Sequence, residues 1–151
     1  MYRKILVTLD GSELSECVLP HVEAFRKGFP DCEAVFLRVV ETGFDAVSAH
    51  ADAISPDQWK AREESLKSAA EEYLEKVVER LEPGGGPVRR EVVAGRIEDR
   101  IVTWADSENV DLILMATHGR TGVKRWVMGS IAGKVLRSSK VPVLMVRAPG
   151  A

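Results

Sequence analysis

The residues best placed to do chemistry run from Met115 to Ser130: Met115-Ala116-Thr117-His118-Gly119-Arg120-Thr121-Gly122-Val123-Lys124-Arg125-Trp126-Val127-Met128-Gly129-Ser130. The stretch begins at the end of a short apolar run and stops where a helical pattern begins. A helix N-terminus carries N–H groups with no partner inside the helix and the positive pole of its dipole, and together these favour an anion. Gly119 and Gly129 let main chain come close to phosphate oxygens with no Cβ in the way. Ser130 adds a hydroxyl donor, and Arg120, Lys124 and Arg125 add charge. Phosphate binding suits this pattern. The competing account is two turn glycines and a serine that only caps the helix. No Gly-Lys-Ser/Thr closes the stretch, so it is not a Walker loop. His118 has the chemistry of a general base, but no serine or cysteine nucleophile stands beside it, and it reads as a side chain that positions the loop. Trp126 reads as a loop anchor.

The charge pattern agrees. The chain has 151 residues, 21 basic and 23 acidic, for a net charge of −2. No acidic residue follows Asp111, whereas Arg120, Lys124, Arg125, Lys134, Arg137, Lys140 and Arg147 do. The last 40 residues therefore carry +7 and the first 111 carry −9. Such asymmetry suits a local field for an anion, or else a basic surface balanced in space by acidic helices. Nucleic acid is disfavoured, since the basic tail lacks interleaved exposed aromatics and contains strand and helix core residues. Cys17 and Cys32 have no zinc or redox spacing and read as structural residues. No apolar run reaches the ~18 residues of a membrane span, and the first apolar run is too short for a signal peptide. The expectation is a cytoplasmic protein of one domain, residues 1–151.

The elements that must hold the loop alternate as β-α-β-α-β-α-β-α-β. Strands are expected at about Arg3 to Leu9, Ala34 to Val40, Val88 to Val93, Asp111 to Ala116 and Val141 to Arg147. Ile5-Leu6-Val7 and Leu112-Ile113-Leu114-Met115 are continuously apolar, as parallel strands covered on both faces are. The first helix is expected from Glu13 to Lys27, with Ser12 as N-cap, Gly28 at C′, and Leu14, Val18, His21, Val22 and Phe25 on the inner stripe. The second is expected from Pro56 to Leu81, opened by a Ser55–Gln58 capping box, with Leu66, Ala70, Tyr73, Val77 and Leu81 inward. Trp59 and Trp104 read as packing residues. Pro83-Gly84-Gly85-Gly86-Pro87 ends the second helix as a tight exit loop. A third helix runs from about Ile97 to Asn109, and a fourth from Gly129-Ser130 to near Ser139. Alternation of this kind implies a parallel sheet that binds ligands beyond its carboxyl ends. Glu41 to Ser55, leaving such an end, is a candidate flap or a plain surface excursion.

The 115–130 stretch resembles the ATP-binding motif of universal stress proteins: glycine, two residues, glycine, nine residues, glycine, then serine or threonine. Ala116, Gly119, Gly129 and Ser130 stand in register. Ile5 to Ser12, Phe36 to Val40 and Ser138 to Arg147 resemble that family's first strand and turn, second strand and final helix-to-strand passage. The likeness runs in order along the whole chain. It implies an α/β fold with a five-stranded parallel sheet of order 3-2-1-4-5 and helices on both faces. It also implies ATP, with Mg2+ or Mn2+ carried on the nucleotide. By this resemblance Asp10 faces the ribose and adenine side and Val39 meets adenine through its backbone. Gly119, Gly129 and Ser130 meet the phosphates and Ile131 adds an amide. Thr8, Met115, Ala116, His118 and Arg120 complete the implied nucleotide-binding set. The departure is Ala116, where the motif has glycine. Slow hydrolysis or autophosphorylation is the most catalysis the family implies, and no base–nucleophile pair stands out. The resemblance further implies a homodimer through the fifth strand, where Val141, Val143, Leu144, Met145 and Val146 form an apolar edge. The second reading is a dimeric interaction protein of this fold that binds no ATP. An adenylating enzyme of a related fold fits less well, because Asp10-Gly11-Ser12-Glu13 stands where Ser-Gly-Gly-x-Asp-Ser would be.

Overall fold

The computed structural model describes residues 2–41, 55–118 and 128–147. Five strands, β1 (Lys4–Thr8), β2 (Glu33–Val40), β3 (Val88–Ala94), β4 (Leu112–Ala116) and β5 (Val143–Val146), form one sheet of order β3-β2-β1-β4-β5. Every pairing is parallel. The helices are α1 (Leu19–Gly28), α2 (Pro56–Glu79), α3 (Ile97–Ser107) and α4 (Ser130–Ser138).

Strand alternation sends side chains to two cores. Ile5, Val7, Phe36, Leu112 and Leu114 meet Val18, Val22, Leu74 and Val77 from the α1–α2 side. Leu6, Val35, Leu37, Ile113 and Met115 meet Ile101, Ala105, Ala132 and Val135 from the α3–α4 side. Because both faces are covered, β1 and β4 can be apolar throughout. Truncating a fully buried residue such as Leu114 to alanine would cost about 2–5 kcal/mol.

The first helix differs from the expectation. A 3-10 turn, Ser15–Val18, comes first, and α1 starts only at Leu19 with Pro20 in its opening turn. Proline has no N–H for the carbonyl four residues back and its ring crowds that carbonyl, so an α-helix from Glu13 would be kinked or broken at Pro20. Ser12 still works as a local cap, since its Oγ accepts from Ser15 N at 3.2 Å. Gly28 is the last residue of α1 and not a left-handed C′ residue; Phe29 caps the helix with an N–H to Phe25 O at 2.8 Å. His21, placed on the inner stripe by spacing, is exposed.

The capping box of α2 is formed: Ser55 Oγ accepts from Gln58 N at 3.3 Å and Gln58 Oε1 accepts from Ser55 N at 2.9 Å. The helix has 24 residues, about 36 Å, and buries only Ala70, Leu74 and Val77. Leu66, expected inward, is 41% exposed. The stripe is right in phase from Ala70 onward, where burial begins. Beyond it, Gly84 and Gly85 take φ of +91° and +86°, and buried Arg26 donates to the carbonyls of Gly86 and Glu82 at 3.4 and 3.3 Å. β5 is shorter than Val141 to Arg147, because Pro142 pairs only through its carbonyl, which accepts from Ile113 N at 2.9 Å.

Candidate functional site

In this strand order the chain moves outward in one direction from β1 to β3 and in the other through β4 to β5, so the direction reverses between β1 and β4. Loops diverge at such a point and leave a crevice. A cavity of about 610 Å3 opens there, beyond the carboxyl ends of β1, β2 and β4.

Four of its walls come from residues singled out in the sequence. From β1 and its exit come Thr8 and Asp10; from β2 comes Val39. From β4 and its exit come Met115, Ala116 and His118. The start of α4 supplies Gly129, Ser130 and Ile131. The structure therefore brings nine of the eleven candidate residues around one space. Gly119 and Arg120 lie outside the described residues, as do Lys124, Arg125, Trp126 and nearly all of the candidate flap.

Asp10 is fixed by a tight local turn. Its Oδ1 accepts from Ser12 N at 2.9 Å and from Ser12 Oγ at 2.6 Å. Ser15 ties the same turn, donating its Oγ–H to Ser12 O at 2.8 Å. Gly11 can stand between them because it takes φ of +86°, which a side chain disfavours.

The α4 end is held by one close contact. Gly129 N donates to Thr117 O at 2.9 Å, so the chain entering the helix is latched to the chain leaving β4. A Cβ on Gly129 would sit 3.0 Å from that carbonyl oxygen. The latch therefore leaves little room for a side chain at Gly129. Its φ of −52° is ordinary. Gly129 is the N-cap, with no side-chain cap bond, and Ser130 is the first helical residue. The account of Ser130 as a cap thus does not hold. The first main-chain bond across this end runs from Gly133 N to Gly129 O at 2.9 Å, which puts the amides of Ser130, Ile131 and Ala132 at the open end of the helix. All three residues line the cavity.

Ala116, the motif's departure, is the last residue of β4 and pairs with Val146. Among the described residues the only non-glycine with positive φ is Asn109, so Ala116 has ordinary strand geometry and no conformational need for glycine. His118 is buried, with Nδ1 3.0 Å from Thr117 Oγ1. That contact places it beside the latch.

Sequence spacing gave Ile97 and Ile101 no ligand-facing role, yet both line the cavity. It missed Arg38 and Ser15 altogether as cavity residues. The available signal was position: each lies within a few residues of a carboxyl strand end. Part of the basic tail is balanced in space. Lys134 donates to Glu98 Oε1 at 2.5 Å, and this bond holds the Glu98 carboxyl below its usual range while tying α4 to α3. Among the described residues no group of three His, Cys, Asp or Glu is placed to hold a metal ion, and no helix is long and apolar enough to cross a membrane.

Comparison with known proteins agrees with the architecture. A protein from Methanocaldococcus jannaschii, universal stress protein MJ0531, is 33% identical over 149 residues, which span 99% of this chain and 84% of that protein. The solved structure of MJ0577, from the same organism, is 31% identical and superposes with a TM-score of 0.83 over 100% of this chain and 99% of its own. A universal stress protein family protein from Arabidopsis thaliana, solved with AMP bound, shares the fold at 15% identity, with a TM-score of 0.64 over 96% of this chain and 91% of its own. The model of the universal stress protein family matches residues 1–147, and with two archaeal relatives aligned over nearly the full chain, this protein belongs to that family.

Proposed function

We propose that this protein is a cytoplasmic regulatory module of the stress response whose state is set by an adenine nucleotide, ATP foremost, held in the cavity at the carboxyl end of the sheet. The observation that carries this reading is the meeting of apolar and polar walls in one space of about 610 Å3, within the ~300–1,000 Å3 range of small-molecule sites. Val39, Ile97, Ile101, Met115 and Ile131 offer an apolar side for a base. Asp10 offers a carboxylate to sugar hydroxyls. The amides of Ser130, Ile131 and Ala132, with the Ser130 hydroxyl, offer donors to phosphate. A divalent ion such as Mg2+ or Mn2+ would ride on the phosphates, since the described residues supply it no cage. The AMP bound in the Arabidopsis relative is of the same ligand class. The test is mass spectrometry of nucleotide released from protein purified without added ligand, with melting curves in MgATP. At ~100 times its dissociation constant a ligand adds about 2.7 kcal/mol, and each kcal/mol is worth roughly 2–4 °C here. A flat melting curve to millimolar nucleotide would favour the ATP-free interaction protein.

We also propose a homodimer through β5. The carbonyls of Pro142 and Val146 pair toward β4, so strand alternation turns the N–H and C=O of Val143 and Met145 outward at the sheet edge. No charged residue lies in β5 to blunt that edge, whereas β3 at the other edge carries Arg89, Arg90 and Glu91. Met145→Pro removes an outward amide and should give a monomer by light scattering, while Val92→Pro on β3 should leave the mass unchanged. A wild type that is monomeric at tens of micromolar would overturn this proposal.

A further inference from the structure

Arg38 sits near the end of β2, half-buried in the cavity wall, and two other elements lie against it. Its guanidinium carbon is 4.9 Å from the centre of the Tyr73 ring on α2, within reach of a cation–π contact. The turn leaving β1 is the second neighbour. A Cβ placed on Gly11 would fall 2.8, 2.9 and 3.0 Å from Nη2, Cζ and Nη1 of Arg38. Three nearly equal distances put Gly11 over the flat face of the guanidinium and not at its edge. A side chain at position 11 would enter that space, and the φ of +86° there already favours glycine. Among the described residues Arg38 makes no ion pair.

The same stretch of chain meets the same pair of side chains a second time. Tyr73 donates its hydroxyl proton to Glu16 Oε1 at 3.0 Å, and Arg80, the C-cap of α2, donates to Glu16 Oε2 at 2.9 Å. Burial and the Glu16 carboxylate raise the Tyr73 hydroxyl above its ordinary range, so it remains a donor. Residues 11 to 16 thus close over the Arg38–Tyr73 pair, with Gly11 on the guanidinium and Glu16 on the phenol. Within that stretch Asp10 Oδ1 accepts from Ser12 N and Ser12 Oγ accepts from Ser15 N, bonds that shape the turn but do not attach it to the sheet. Leu9 N donates to Leu37 O at 3.0 Å, which extends the ladder to β2 by one residue. Past that bond the guanidinium of the next β2 residue, Arg38, meets Gly11.

Resting on the nucleotide reading above, we propose that Arg38 is a positioning residue: its guanidinium, steadied by Tyr73, is the plate on which the Gly11 turn seats, and it thereby sets where Asp10 stands in the cavity wall. The test is calorimetric titration of ATP into the full chain and into Arg38→Met, Arg38→Lys, Gly11→Ala and the double variant Arg38→Met with Gly11→Ala, each below its own melting temperature. Both single Arg38 variants should weaken ATP about three- to thirtyfold, the worth of a cation–π contact felt at the turn. Lysine keeps the charge but not the flat face, so Arg38→Lys should restore little. Gly11→Ala drives a methyl group into the guanidinium and should weaken ATP as well. In the double variant that methyl meets a flexible thioether chain instead, so the combined loss should be smaller than the product of the two single losses. Wild-type affinity in Arg38→Met overturns the proposal. So does rescue by Arg38→Lys, because the charge would then act on the ligand itself. A double variant that loses the full product also overturns it, since Arg38 and Gly11 would then act independently. If neither ATP nor AMP binds the wild type, the nucleotide reading falls and takes this one with it. If the wild type binds and any of those three results is found, only the role of Arg38 falls.

Discussion

The two ends of the sheet are built in opposite ways. At the amino end charged groups lock strands together. Asp111 Oδ2 accepts from the main-chain N–H of Arg3 and Lys4 at 2.6 and 2.9 Å, joining β1 to β4. Lys4 Nζ reaches Glu108 O at 3.0 Å and Oε2 at 3.3 Å, and it lies 3.7 Å from Glu33. Arg89 binds Glu108 at 3.2 Å, bringing β3 into the same network. At the carboxyl end the described residues are held mainly by main-chain bonds and local turns set around a cavity, the Gly129–Thr117 latch and the Asp10 turn among them. Unsatisfied donors there are what a ligand can use, and the locked opposite end supplies rigidity without occupying them. Binding and stability should therefore separate by end.

Gly129→Val attacks the carboxyl end hardest. A side chain there meets the Thr117 carbonyl and must push α4 away from β4, displacing several amides together. The expected loss of nucleotide affinity exceeds the roughly 10–150-fold of one charge-assisted hydrogen bond, read by titration calorimetry, with the folded far-ultraviolet spectrum retained. Ser130→Ala removes one hydroxyl and should cost about 10–150-fold in affinity. Its stability change should stay within about 0.5 kcal/mol, because the hydroxyl makes no cap bond.

Asp111→Asn should do the reverse. It weakens two charge-assisted bonds at a half-exposed site, worth about 1 kcal/mol after solvent screening, or roughly 2–4 °C of melting temperature at neutral pH. Nucleotide affinity should not change. The smallest effect is in its pH dependence. The amides of Arg3 and Lys4 hold the Asp111 carboxyl below its ordinary range. A carboxylate depressed on folding contributes stability that is complete above its unfolded pKa, about 3.9, and lost as pH falls through the lower folded value. The melting difference between wild type and Asp111→Asn should accordingly shrink below pH ~4. Should Asp111→Asn weaken nucleotide as much as Ser130→Ala does, or Ser130→Ala melt as early as Asp111→Asn, the ends are not separate.

Much of this architecture was legible in residue order. Continuous apolar runs at Ile5 to Val7 and Leu112 to Met115 announce buried parallel strands, and Ser55-Pro56-Asp57-Gln58 announces its capping box. Strand order came from resemblance, since no local pattern says which strands are neighbours. Two kinds of feature escape such patterns. Pro20 sits inside an otherwise helical stripe, and the stripe does not show that it interrupts a helix from Glu13. Leu66 and His21 were placed inward by phase, and phase cannot tell whether a core lies under a given turn. For the site, the sequence marked residues at strand ends but not their partners. The Gly129–Thr117 latch spans a loop whose closure no spacing reveals, and Arg38 looks like any charged residue near a strand end until Tyr73 and Gly11 are found against it.

The run Pro83-Gly84-Gly85-Gly86-Pro87 reads like a linker, a natural place to graft a tag or move the termini. The buried Arg26 makes it a hub instead. Gly84 has no atom within 4 Å of where a side chain would begin, whereas at Gly86, two residues on, that point lies 2.0 Å from the carbonyl oxygen of Cys32. A peptide spliced in beside Gly84 should leave a folded protein. The same splice beside Gly86 should pull the carbonyl from Arg26 and strand a guanidinium in the interior, the kind of loss that is strongly destabilising in a fold of this size. Protein engineers would therefore find tolerance changing across the space of a single turn.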